Sequence, residues 1–159
     1  MKVEIIMGSA SDWNVMKAAV DTLKNFGVEV ELTIASAHRT PQKVHDLVKN
    51  SDAQIFIAAA GMAAHLAGVV ASLTTKPVIG VPISSEPFKG LDALLSTIQM
   101  PGGVPVATMA VNGAKNAALF AVEILSLQDD ELAKKLTSYR EKMAAEVELN
   151  DKRLKEDLL

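Results

Sequence analysis

The chain has 159 residues, of which 49% are hydrophobic and 22% charged, a composition typical of one compact domain whose core needs no cross-links. It contains no cysteine, so disulfide frameworks, thiolate nucleophiles and cysteine-bound metals are excluded. The net charge of −3 and the aromatic content of 4% provide neither a basic face nor platforms for base stacking, and we therefore expect no nucleic-acid partner.

Two apolar stretches bear on localisation. The first, residues 1–7, is short and contains Glu4, so it lacks the apolar region of a signal peptide and indicates a cytoplasmic protein. The second, residues 55–73, has the length of a membrane span, but two glycines interrupt it and His65 lies near its middle. We interpret it as a buried strand followed by a tightly packed helix, and expect no membrane association.

Short apolar runs alternate with helix-like segments along the chain. The predicted strands are residues 3–7, 28–35, 54–59, 77–81 and 104–111. The predicted helices are residues 12–26, a segment that begins at Pro41 with Thr40 as its cap, and residues 63–72, 91–98 and 114–127. Gly27 is expected to close the first helix.

Strands that are apolar throughout and are separated by helices predict a parallel sheet covered on both faces. The predicted fold is α/β, a three-layer α/β/α sandwich with a flavodoxin-like parallel sheet of five strands, and we assign it to a catalytic domain of residues 1–128.

The last helix, within residues 129–159, has a different character. Its other faces carry charges of both signs, and its apolar residues form a narrow stripe: Leu132, Leu136, Tyr139, Met143, Val147, Leu154 and Leu158. It is either a surface helix packed on its own domain or an arm that clasps a neighbouring subunit. Its ~30 residues would span ~45 Å, more than a domain of this size needs, which favours a C-terminal oligomerisation arm.

Polar residues are concentrated in the loops that follow the first three strands, residues 8–12, 36–41 and 60–65. Ligands of open parallel sheets bind beyond the carboxyl ends of the strands, where helix amino termini also point. Two serine-rich turns, one arginine and two histidines should therefore meet at one edge of the sheet.

Each loop has a structural and a functional interpretation. Ser9 or Ser11 could simply cap a helix, or bind a phosphate as well; no P-loop, dinucleotide-binding or nucleophile-elbow pattern is present. Arg39 can hold a phosphate through two hydrogen bonds, and His38 can exchange a proton near neutral pH, unless it is only an exposed loop residue. A metal site of three histidines lacks a carboxylate at a suitable spacing, and His45 is expected on a helix surface.

Three further segments are less polar or irregular. Residues 58–64 could form an apolar wall where backbone amides approach a ligand, or only pack a strand against a helix. The loops at residues 84–90 and 99–103 could border the pocket or merely connect elements.

Four motifs carry a resemblance to a known family: MGSASDW at residues 7–13, SAHRTP at 36–41, AAHL at 63–66 and QMPGGVPV at 99–106. Over nearly its full length the chain resembles the 5-(carboxyamino)imidazole ribonucleotide mutases of purine biosynthesis. The resemblance implies an isomerase that moves a carboxylate from the exocyclic amine to ring carbon 4 by decarboxylation and recarboxylation. It also implies that no metal or organic cofactor is used, that the substrate is an aminoimidazole ribonucleotide, and that the protein is a homo-octamer.

The resemblance also implies roles for individual residues. It makes His38 the general acid and base, and Asp12 the partner of the ribose hydroxyls. The residues implied for the substrate phosphate are Ser11, Ser36 and Arg39. Those implied for the base, the carboxylate and the carbon dioxide pocket are Ser9, Ala60, Gly61 and His65.

The chain departs from the family pattern at Met62, where glycine is common, and at Ala67, where proline is common. The sequence therefore does not determine the detailed shape of the apolar wall. A sister class that takes free carbon dioxide usually differs in residues 63–66, which favours the mutase. A non-catalytic nucleotide-binding oligomer is a further alternative. Receiver and flavin-binding modules fit poorly, because the third strand ends in alanines and only Trp13 could flank a flavin.

Overall fold

The computed structural model describes residues 1–158 and contains a sheet of five parallel strands. The strands are β1 (Lys2–Met7), β2 (Glu29–Ile34), β3 (Ile55–Gly61), β4 (Val78–Ile83) and β5 (Ala107–Thr108). Their order in the sheet is β2-β1-β3-β4-β5, and helices lie on both sides. The predicted flavodoxin-like α/β fold with five parallel strands is confirmed.

The helices follow the predicted alternation with the strands. They are α1 (Trp13–Phe26), preceded by a 3₁₀ turn at Ala10–Asp12, α2 (Pro41–Asn50), α3 (Leu66–Leu73), α4 (Leu91–Ile98), α5 (Ala114–Ser126) and α6 (Asp130–Asp157). Gly27 ends α1 in the left-handed conformation at φ 81°. Among residues 1–158 no helix is both long and apolar enough to cross a bilayer, and the apolar stretch at residues 55–73 forms β3 and α3.

Two elements begin three residues later in the structure than predicted. The fifth strand was expected over residues 104–111 but pairs with β4 only at Ala107 and Thr108. Pro105 has no N–H to give to a ladder, and the segment before it turns at Gly102 and Gly103. The third helix begins at Leu66 rather than at residue 63, because residues 62–65 form tight turns at the end of β3.

Apolar side chains fill both sides of the sheet. On one side, Phe56 and Ala58 of β3 belong to a buried cluster with Val44 of α2 and Val70 of α3. Because side chains alternate along a strand, Ile55 and Ile57 point to the opposite side, and both are buried. The strands therefore hold the loops at their carboxyl ends on a rigid base.

The chain divides into two compact units, Met1–Ala121 and the segment from Val122 onwards. Asp129 caps α6 by accepting the N–H of Leu132, and Arg140 of α6 pairs with Glu123. Beyond Leu132, most of the α6 stripe is open to solvent: Met143, Val147 and Leu154 are all exposed. The role of this helix as an oligomerisation arm stays a prediction.

Glu4 is a carboxylic acid in the middle of the apolar strand β1, and its side chain is fully buried. It lies opposite Glu31 on β2, and it accepts hydrogen bonds from Thr33 Oγ1 at 3.2 Å and Ser51 Oγ at 3.3 Å. Burial, reinforced by a hydrogen bond to Glu31, raises the pKa of Glu4 to about 7. The ammonium of Lys2 lies 2.7 Å from the Glu31 carboxylate and lowers the pKa of that neighbour.

This carboxyl should make stability fall as the pH rises. The unfolded chain ionises Glu4 near the ordinary pKa of 4.5, whereas the folded chain keeps the proton until about pH 7. The folded state therefore binds more protons between these values and loses up to ~3 kcal/mol of stability across them. We expect Glu4→Gln, which imitates the protonated carboxyl, to reduce the change in free energy of unfolding between pH 5 and pH 8 by ~2 kcal/mol.

The measurement is urea unfolding at the two pH values and one fixed protein concentration. Glu148→Gln, at an exposed position of α6, is the matched control and should leave the wild-type pH dependence unchanged. Equal pH dependence in Glu4→Gln and wild type would show that Glu4 is already ionised in the folded protein at pH 5.

Candidate active site

The candidate site lies where the order of the sheet reverses. The chain passes from β1 to β2 on one side and then to β3 on the other, so the loops after β1 and β3 diverge and leave a crevice between them. The Gly8 N–H donates to the Ala59 carbonyl at 2.9 Å and holds the two strand ends together. All three loops predicted to carry chemistry border this crevice.

The loop after β1 contains a capping box, a reciprocal pair of hydrogen bonds between Ser9 and the first turn of the helix. Ser9 Oγ accepts the Ser11 N–H at 3.3 Å, and Asp12 Oδ2 accepts the Ser9 N–H at 3.0 Å. Asp12 is buried, and burial raises its pKa although the Ser9 amide and the Ser11 hydroxyl act in the opposite direction. A carboxylate has about four acceptor positions, so Asp12 keeps acceptor capacity for a ligand while it caps the turn. The structural and functional interpretations of this loop are therefore compatible.

The loop after β2 is closed by bonds between its two ends. Thr40 was predicted as the side-chain cap of α2, but its hydroxyl makes no such bond. Instead Thr40 Oγ1 accepts the Ser36 N–H at 2.9 Å, and the Thr40 N–H donates to the Ser36 carbonyl at 2.9 Å. The hydroxyl thus closes the turn that presents His38 and Arg39.

Arg39 joins the first two loops. Its Nη2 donates to the Gly8 carbonyl at 2.6 Å, and its Nε donates to Ser36 Oγ at 3.4 Å. A guanidinium has five N–H groups, and these contacts use one on each of two nitrogens. The remaining donors include both N–H groups of Nη1, so the side chain is fixed and can still bind an anion.

His38 and His65 form a direct pair. His38 Nε2 lies 2.9 Å from His65 Nδ1, and the two rings meet edge to face with their centroids 5.0 Å apart. One nitrogen must donate and the other accept, so the pair has two tautomeric arrangements. When His38 carries its hydrogen on Nε2, its Nδ1 lone pair is free to accept a proton.

The loop after β3 is made of small residues except at Met62 and His65. A Cβ on Gly61 would lie 3.2 Å from the Ile83 carbonyl, a tight contact, so the close approach of β3 and β4 here favours glycine. Of residues 58–64, for which an apolar wall was one of two interpretations, Ala60, Gly61, Met62 and Ala63 line the crevice, whereas Ala58, Ala59 and Ala64 are buried and do not.

The two irregular loops at residues 84–90 and 99–103 differ in their position relative to the crevice. Ser84 and Ser85, directly after β4, line the crevice, whereas residues 99–103 do not. The Ser85 hydroxyl oxygen is buried and has no hydrogen-bond partner among residues 1–158. These two serines follow β4 at the same edge of the sheet as the other three loops, and this placement is the sequence signal that points to them.

All nine predicted site residues meet in one cavity of ≈ 700 Å³. They are Ser9, Ser11, Asp12, Ser36, His38, Arg39, Ala60, Gly61 and His65. Of the two departures from the family pattern, Met62 lines the cavity, whereas Ala67 is buried in the apolar cluster and does not. His45 lies outside the cavity, on the exposed surface of α2 beside Asp46. No group of three potential metal-binding side chains forms within residues 1–158.

The fold and cavity define a flavodoxin-like α/β protein with a small-molecule site at the switch point of its sheet. The family model described as AIR carboxylase matches residues 2–146, and the chain belongs to this family. It is 59% identical to an N5-carboxyaminoimidazole ribonucleotide mutase of Methanocaldococcus jannaschii, over 96% of each chain. It is 52% identical to the enzyme of the same name from Thermotoga maritima, over 92% of this chain and 87% of that one.

A solved structure agrees with the sequence relatives. The crystal structure of Treponema denticola PurE superposes with a TM-score of 0.88 at 35% identity, covering 96% of this chain and 98% of that chain. The resemblance predicted from the four motifs is thus confirmed for family and fold.

Proposed function

We propose that this site catalyses the N5-carboxyaminoimidazole ribonucleotide mutase reaction of purine biosynthesis. The family and the names of its relatives support this function. The observation that carries it is the meeting of an anion-binding arginine, a histidine pair and an apolar wall in one cavity. Decarboxylation followed by recapture of carbon dioxide requires an anchor for the substrate, an acid–base group and an apolar wall beside the reacting atoms.

The phosphate end of the substrate binds where the first two loops meet. Arg39 offers its free N–H groups as two parallel hydrogen bonds beside the Ser36 hydroxyl, and Ser11 lines the same cavity. The buried carboxylate of Asp12 accepts the ribose hydroxyls. Because Gly8 and Ser36 already fix Arg39, the anchor is in place before the ligand arrives.

The ring end binds beside the histidine pair, with Ser9 and the backbone of Ala60 and Gly61 against the base and carboxylate. The bond between the exocyclic nitrogen and the carboxyl carbon breaks, carbon dioxide is released, and the nitrogen takes a proton. Ring carbon 4 then attacks carbon dioxide with the electron pair of the enamine, which forms the new carbon–carbon bond. His38 then accepts the hydrogen of carbon 4 as a proton. One proton is therefore taken up at the nitrogen and one is released from carbon 4, so the isomerisation consumes no net proton.

The apolar wall keeps the released molecule near carbon 4. Ala60, Gly61 and Ala63 offer no charged group to carbon dioxide, and His65 borders the same chamber while its bond to His38 orients the acid–base imidazole. Recapture then behaves as an intramolecular step, for which effective molarities are high. We propose that the reaction uses neither metal nor organic cofactor, so dialysis against a chelator should leave turnover unchanged.

The decisive assay supplies the purified enzyme with the N5-carboxyamino ribonucleotide and follows the product carboxylated at carbon 4. We expect turnover without bicarbonate. Product formation only from the uncarboxylated ribonucleotide plus bicarbonate would assign the sister reaction, which uses free carbon dioxide. Binding of the ribonucleotide with neither reaction would leave a non-catalytic nucleotide-binding oligomer.

We propose further that the chain acts in the cytoplasm as a homo-octamer, and an exposed apolar patch supports self-association. Leu91, Leu95 and Ile98 follow the helical spacing of one face of α4 and are 56%, 50% and 53% exposed, with Phe88 63% exposed just before the helix. Contiguous apolar patches on soluble proteins mark interaction sites. A second copy of the chain would cover this face, and the exposed stripe of α6 would act as the arm.

We expect Leu95→Glu to reduce the size of the assembly in light scattering, because it would bury a charge in the contact. Val147→Glu tests the arm in the same way. Asn25→Glu adds the same charge at an exposed polar position of α1 and is the control. An unchanged assembly in Leu95→Glu would remove the α4 face from the interface, and an unchanged assembly in Val147→Glu would leave α6 as a surface helix of its own subunit.

A further inference from the structure

Met62 is an unusual residue for the turn that it forms. It follows β3 directly and adopts φ 56°, in the left-handed region that glycine enters without strain and that longer side chains rarely adopt. Its side chain is 63% exposed and lines the cavity. The chain therefore keeps a large apolar residue at a strained and solvent-exposed position beside the reacting groups, which calls for a functional reason.

Hydrogen bonds from Ala64 within the turn and from Ser96 of α4 hold this conformation. The Met62 carbonyl accepts the Ala64 N–H at 2.9 Å and the Ser96 hydroxyl at 3.4 Å, and the Ala64 N–H also lies 3.3 Å from Ser96 Oγ. These contacts involve only the backbone of Met62, so they would form equally well with another residue there. They fix the turn without engaging the exposed side chain.

Met62 differs from the other large apolar side chains that line the cavity in the described chain. Leu66 and Ile83 are buried in the protein, at 2% and 7% exposure, and form a fixed wall. The residues on either side of Met62 are Gly61 and Ala63, which reach little of the opening. Methionine is unbranched and adaptable, which suits a side chain that must close against ligands of irregular shape.

We infer that Met62 is a positioning residue that folds over the bound ribonucleotide and retains the carbon dioxide released from it. This inference rests on the proposed mutase function. Carbon dioxide is small and carries no net charge, so no ion pair can hold it, and its recapture depends on how slowly it escapes. A thioether chain across the opening both lowers the escape rate and keeps water from the reacting atoms.

The experiment measures how much of the original carboxylate reaches the product. The substrate carries a carbon label in its carbamate, and unlabelled bicarbonate with carbonic anhydrase exchanges any carbon dioxide that leaves the site. We expect Met62→Gly to increase the fraction of turnovers that lose the label at least threefold over wild type. Met62→Leu, which keeps a large apolar side chain, should restore retention to within twofold of wild type.

Loss of the fold would not explain this result, because glycine suits the left-handed turn and Met62→Gly should melt no lower than wild type. Wild-type retention of the label in Met62→Gly would overturn the inference and leave the proposed function intact. Complete loss of the label by the wild-type enzyme would overturn both the role of Met62 and the proposed mutase function. Label loss accompanied by smaller assemblies in light scattering would also overturn it, since the side chain would then be acting as a subunit contact.

Discussion

Replacing His38 by asparagine should lower kcat at least ~100-fold, following the usual magnitude of general acid–base catalysis. Asparagine is shorter than histidine and loses the contact of Nε2 with His65, and its amide cannot accept the proton of ring carbon 4 near neutral pH. The phosphate anchor at Arg39 is unaffected, so we expect KM to change less than ~threefold. Steady-state kinetics with the carbamate substrate give both numbers.

His45→Asn is the matched control for this experiment, because His45 is an exposed histidine of α2 that does not line the cavity. Its kcat should stay within ~twofold of wild type, as for most surface substitutions. Turnover unchanged in His38→Asn would exclude His38 as the base. A rise in KM as large as the fall in kcat/KM would instead make His38 a binding residue.

Arg39→Lys should give the second largest effect, with kcat/KM falling ~100-fold. Lysine keeps the positive charge but loses the planar fork, so two charge-assisted hydrogen bonds of ~1.5 kcal/mol each are at risk. The phosphate does not change during the reaction, so its contacts are equal in ground state and transition state. The loss should therefore appear as a higher KM with a nearly unchanged kcat.

Inorganic phosphate as a competitive inhibitor provides an independent measure of the same anchor, and its inhibition constant should rise in parallel with KM. Arg140→Lys, in the ion pair with Glu123, is the control and should alter neither value. Should KM and the inhibition constant of Arg39→Lys both equal those of wild type, the phosphate does not bind at the guanidinium, and the guanidinium serves only to tie Ser36 and Gly8 together.

The location of the site could be predicted from the sequence because it follows from topology. Apolar strands separated by helices must form a parallel sheet, and the carboxyl ends of its strands share one edge. Residues 8–12, 36–41 and 60–65 were therefore placed together without knowledge of any distance. The same reasoning left open whether residues 84–90 border the site, although Ser84 and Ser85 stand in the corresponding place after β4.

The finer geometry could not be predicted because it depends on contacts between distant segments. The bond between His38 and His65 depends on two loops approaching to hydrogen-bonding distance, and Thr40 binds Ser36 rather than the helix that follows it. In the sequence, Glu4 only interrupts an apolar run; in the structure it is fully buried, because Thr33 and Ser51 supply hydroxyl donors from other segments. Local pattern contains no information about such partners.

The bond from Arg39 to the Gly8 carbonyl also bears on the thermodynamics of ligand recognition. A free arginine side chain would lose ~2 kcal/mol of rotamer entropy when an anion immobilised it. Here that loss occurs during folding, when the guanidinium is already tethered across two strand ends. A phosphorylated ligand can then bind with a small entropic penalty. Its affinity is set mainly by how well the phosphate oxygens replace the water molecules around the preformed guanidinium of Arg39.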